Sequence, residues 1–126
     1  MARFNQRSSD RLSTCDQRII AWCNFIVIER DCTIIEGHRS EIFQNIAFQN
    51  KKSRLPWPLS RHNKYPSMAV DIAPWDASDP GIKWNDLDLW EDFALYGQWA
   101  SEKLGIKILN GGLSWGWDWP HHQLED

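Results

Sequence analysis

With 126 residues the chain has room for one domain around one hydrophobic core. Its formal net charge of −3 gives no electrostatic case for nucleic acid or an anionic membrane as partner, and no apolar run approaches the ~18–20 residues of a membrane span. The three cysteines are odd in number and form no C-x-x-C, which argues against a disulfide framework or a cysteine zinc knuckle.

Residues 1–9 (MARFNQRSS) are polar and lack the apolar stretch of a signal peptide, so they are expected as a loose arm on a protein made in the cytoplasm. From Asp10 onward, Leu12, Cys15, Ile19, Trp22, Cys23 and Ile26 recur at helical spacing, predicting an amphipathic helix capped by Asp10 or Ser13. Cys32 to Glu36 is β-rich and closed by Gly37, and reads as a strand. Ser40 is placed to cap a second helix running through Gln44 and Phe48. Arg39 sits at the corner between these two elements, where either a functional role or a solvated surface charge fits. The prolines around Trp57 predict an extended loop over 51–59. A long packing helix is expected from Asn85-Asp86 to Leu104, stopped by Gly105, followed by a short strand Ile106 to Leu109 and a turn at Asn110-Gly111-Gly112.

Between these elements lies SRHNKYPSMAVDIAP, Ser60 to Pro74. Its apolar end, Ala69 to Ala73, reads as a strand in which Val70 and Ile72 face one way and Asp71 the other. The neighbours of Asp71 on its own face are two alanines, which leaves space in front of the carboxylate. A lone buried carboxylate is costly, so Asp71 needs a partner, and His62 is the nearest candidate. Near the C-terminus Pro120 favours an extended chain from Trp119. Leu124 then takes the core face together with His122, and His121 takes the other. Two histidines and one carboxylate with an open fourth position form a known catalytic zinc arrangement, and Asp118, three residues before His121, supplies the further carboxylate needed as general base. Trp117 and Trp119 either wall the cleft or pack in the core.

The series EGHRS (Glu36 to Ser40), Gln44, SRHN-x3-S-x-AVDIAP, Ile82 to Asp86, Gly111-Gly112 and D-x-P-H at Asp118 to His121 resembles the metal-dependent L-alanyl-D-glutamate endopeptidases of phage endolysins. That family is related to the zinc D-alanyl-D-alanine carboxypeptidases. The resemblance runs from about Arg11 to Leu124. It implies a single zinc peptidase domain over 1–126, with one zinc per chain on His62, Asp71 and His121. It implies Asp118 as the catalytic carboxylate, Arg39 as a holder of substrate or stabiliser of the oxyanion, and Ser60 as a substrate contact. The implied fold is α+β: a small, mainly antiparallel sheet with helices packed to one side and the metal at its open face. The implied substrate is the peptidoglycan stem peptide, cut by a monomer that reaches the wall through a separate holin-type permeabilising protein. Two departures stand out. The interval from His62 to Asp71 is longer than in the pattern S-x-H-x-x-G-x-A-x-D, and His122 occupies a place usually held by an aromatic residue. A D-alanyl-D-alanine carboxypeptidase and a non-catalytic wall-binding module are the rival readings.

Overall fold

The computed structural model of the protein describes residues 3–125. Five α-helices and four strands alternate along the chain: α1 (Gln6–Leu12), α2 (Gln17–Glu29), β1 (Cys32–Glu36), α3 (Glu41–Gln49), β2 (Ala69–Pro74), α4 (Leu87–Leu104), β3 (Ile108–Asn110), α5 (Gly111–Trp115) and β4 (His121–Leu124), with a 3-10 turn at Arg61–Asn63 before β2. The expected arm is replaced by structure from Gln6 onward, because Asn5 caps α1 by accepting from the Ser8 N–H at 2.9 Å; residues 1 and 2 lie outside the described residues. The single helix expected from Asp10 is two helices. Asp16 caps α2, while Cys15 leaves helical geometry to form a parallel bridge with Ser67. Ser40, Asp86 and Gly105 take the capping positions read from the sequence, Gly105 in the left-handed region at φ 68°.

All three strand pairs are antiparallel, in the order β1-β2-β4-β3. Side-chain alternation gives this small sheet two unlike faces. Val70, Ile72, Ile34 and Leu124 join Ile19, Trp22, Cys23 and Ile26 of α2 and Phe93 of α4 in the core. Each fully buried aliphatic side chain there contributes roughly 1.5–3 kcal/mol. Trp22 is also hydrogen-bonded, its indole N–H donating to the Gly97 carbonyl at 3.0 Å. The three cysteines are free and buried. On the other face the register sets Asp71 opposite His121 and Ala69 opposite Gln123. A bulge between Ile34 and Glu36 slips the β1 register by one residue, so Glu36 also comes opposite Asp71.

The segment after Gly105 departs from expectation. Ile106 N–H bonds back to the Ser101 carbonyl at 3.1 Å, which delays β3 to Ile108. Asn110-Gly111-Gly112 is not a hairpin turn. Asn110 caps α5, and the two glycines admit the chain that follows. A Cβ on Gly111 would lie 2.5 Å from the Asp118 carbonyl oxygen, and one on Gly112 would lie 2.0 Å from the Trp119 ring. Gly112→Ala is therefore expected to lower stability by about 1–3 kcal/mol, read from the urea midpoint by circular dichroism. An unchanged midpoint would show that Trp119 moves aside freely.

Candidate active site

His62 is held from two sides. Ser60 caps the 3-10 turn, its Oγ accepting from the His62 N–H at 3.2 Å, and Asn63 closes the capping box by accepting from the Ser60 N–H at 3.1 Å. Across the site, the Gly37 carbonyl lies 2.7 Å from His62 Nδ1. A carbonyl only accepts, so Nδ1 carries a proton and Nε2 is the ring nitrogen turned toward Asp71. The glycine is needed for this approach, since a Cβ there would meet the Arg11 carbonyl oxygen and Thr14 Oγ1 at 2.4 Å each.

His121 is set in the same way. Its Nε2 lies 2.9 Å from Gln123 Oε1, two residues along the same face of β4, which leaves Nδ1 pointing inward. Three atoms then converge: His62 Nε2 is 3.1 Å from Asp71 Oδ1, His121 Nδ1 is 3.3 Å from His62 Nε2, and His121 Nδ1 is 3.5 Å from Asp71 Oδ1. His62, Asp71 and His121 form a group able to hold a metal ion. Burial favours neutral forms, but Asp71's hydrogen bond and charge outweigh it and raise the His121 pKa. Burial likewise opposes ionisation of Asp71, yet the two histidines hold its carboxyl well below the usual range.

Arg39 is not a solvated surface charge. Its guanidinium binds Glu36 through Nε, donates to Gln44 Oε1 at 2.9 Å and lies 3.5 Å from Asp71 Oδ2. The fully buried Gln44 organises this corner. Its Oε1 also accepts from Asn63, and its Nε2 donates to Ser53 Oγ and the Leu55 carbonyl. Glu36 and Gln123 carry supporting roles that the sequence did not disclose. Glu36 depends on the β1 bulge, whereas Gln123 could have been found by its spacing from His121.

Asp118 lies beside this cluster in a cavity of about 590 Å³ that Arg39, Ser60, His62, Asp71 and His121 also line. Burial and the charge of Asp71 push its carboxyl pKa up, toward the range useful for proton transfer. Its backbone is left-handed at φ 60°, a conformation that aspartate tolerates better than most side chains. Trp117 is on the cavity wall, as is Trp115, which the sequence reading did not single out; Trp119 packs on Gly112 instead.

His122 is excluded from the cluster. It faces the core opposite Val70, with its ring 4.9 Å from that of Trp22. Its Nδ1 donates to the Pro120 carbonyl and its Nε2 accepts from Asn110 Nδ2 at 2.9 Å, so neither nitrogen is left for an ion. Burial pushes its pKa down to about 4.

A comparison with curated protein sequences finds no match. Among solved structures, the fold is similar to that of the Serratia marcescens L-Ala D-Glu endopeptidase ChiX, with a TM-score of 0.80 over 98% of this chain and 91% of that one, at 23% sequence identity. A family model described as phage L-alanyl-D-glutamate peptidase matches residues 1–125, so the chain belongs to that family.

Proposed function

We propose that the protein is a zinc-dependent endopeptidase of the phage endolysin type, hydrolysing the L-Ala–D-Glu amide bond of peptidoglycan stem peptides. Convergence of the His62, His121 and Asp71 acceptor atoms carries this reading. Their separations of 3.1, 3.3 and 3.5 Å suit one face of a tetrahedron, whose edges are about 3.3–3.4 Å when each ligand is about 2.0–2.1 Å from the metal. Calcium and magnesium favour oxygen donors, whereas two imidazoles and one carboxylate favour zinc. The Gly37 carbonyl and Gln123 orient the two rings as outer-shell partners do in such sites.

Zinc held there would polarise the scissile carbonyl and lower the pKa of water. Asp118 takes the proton from the attacking water as its oxygen bonds to the carbonyl carbon. It then passes that proton to the amine nitrogen as the C–N bond breaks. Arg39 directs positive charge at the oxyanion or at a substrate carboxylate while steadying Asp71. Ser60 is on the same wall, with its hydroxyl proton available to substrate.

One zinc per chain is expected by metal analysis, and His62→Ala or Asp71→Ala should lose it; stoichiometric zinc in either folded variant would overturn the ligand set. Asp118→Asn should keep zinc and fold yet lose about 10²–10⁴-fold in turnover on purified cell walls. His121→Ala should lose metal and activity together. His122→Ala should keep its zinc and show its loss mainly in the thermal midpoint. Exchange of the two histidine phenotypes would move the ligand by one residue. Arg39→Lys keeps the charge but not the three-way fork, so wall hydrolysis should fall while zinc content holds; wild-type hydrolysis would reduce Arg39 to a bystander.

A further inference from the structure

The cavity that holds the cluster is unusually cationic for an acidic protein. Arg39, Lys52, Arg54 and Arg61 line it against two carboxylates, Asp71 and Asp118. Asp71 is already matched by the histidines and Arg39. Arg39 in turn is committed to Glu36, Gln44 and Asp71.

Arg54 is different. Its guanidinium lies over the Trp117 ring, 4.0 Å from the centroid, and among the described residues it has no carboxylate partner. Stacking holds the plane of an arginine while leaving its N–H edge free to bind a carboxylate bidentately. The stack ends an aromatic series along the cavity wall. The His121 and Trp115 rings are 5.4 Å apart, Trp115 and Trp117 are 6.4 Å apart, and Arg54 lies on Trp117. Trp117 directly precedes Asp118, so the cation is anchored one residue from the group proposed to move the proton.

We infer that the Arg54–Trp117 stack is a carboxylate subsite that selects stem peptides whose D-glutamate bears a free carboxylate rather than a carboxamide. The chemistry follows from the substrate, and the inference rests on the endopeptidase reading. A glutamate whose amine forms the scissile bond has two carboxyl groups, and the peptide chain continues through only one. Where the chain continues through the side-chain carboxyl, the other sits on the carbon that bears the scissile nitrogen and reaches the cavity either as an anion or capped as an amide. A charge-assisted, bidentate pair with Arg54 is available only to the anion. An amide there would offer one neutral carbonyl acceptor in place of two anionic oxygens and set its NH2 group against a guanidinium that can only donate.

The test uses the zinc-loaded full chain and two synthetic stem peptides, identical except that this D-glutamate carboxyl is free in one and a primary carboxamide in the other. Wild-type kcat/KM should favour the free acid by about 10–100-fold. Arg54→Gln should remove most of that preference by slowing the acid peptide alone, and Arg54→Lys should restore part of it. Arg54 is exposed, so these variants are expected to fold, and thermal midpoints and zinc content close to wild type verify it. Equal rates on both peptides in the wild type, or an undiminished preference in Arg54→Gln, would overturn the subsite. Hydrolysis of neither peptide by the wild type would overturn the endopeptidase reading itself, and the subsite with it.

Discussion

The structure depends on a carboxylate placed in the middle of a four-stranded sheet. Asp71 has only 16% of its side chain exposed, and an ionised group so buried is tolerated only when opposite charge and hydrogen bonds replace the water it has lost. The surrounding elements supply these. The β2–β4 register brings His121 directly across, the capped 3-10 turn before β2 presents His62, and the β1 bulge turns Glu36 to hold Arg39 against the far oxygen. Loss of any one support would remove one of the partners that offset the burial of Asp71.

Meeting that demand divides the sheet into two chemistries only one residue apart. Asp71 and His121 look into the cavity while Val70 and His122, their immediate neighbours, look into the core. The adjacent histidines therefore have opposite electrostatic fates. His121 is drawn toward protonation by Asp71, whereas for His122, between Trp22 and Asn110, burial outweighs the pull of Asp71 and pushes the pKa down.

Close backbone approaches set the positions of His62 and Asp118. Gly37 lets a carbonyl reach His62, and Gly111 lets the left-handed Asp118 turn close against α5. Asn110 then ties this region together by capping α5 and donating to the Trp119 carbonyl and to His122. These are short connections made through backbone atoms and one buried amide.

Much of this was legible in the chain. Two-residue alternation along Ala69 to Ala73 and from His121 to Leu124 determined which side of the sheet each polar group takes, because the apolar partners have only one favourable side. Helix ends were equally plain at Ser40, Asp86 and Gly105, where a local hydrogen bond or a left-handed residue decides the matter. Contacts between distant segments were not legible. The first helical stretch is broken ahead of Asp16, where Cys15 bridges Ser67, and no local pattern records that. The glycine pair after Asn110 reads as a turn until the Trp119 ring is seen against it. Arg39 reads equally well as a functional group or as a solvated surface charge, since its three partners come from a bulged strand, a helix and a central strand. Alternation is a property of a single strand and can be read along it; partnership between strands is created only when the chain closes on itself.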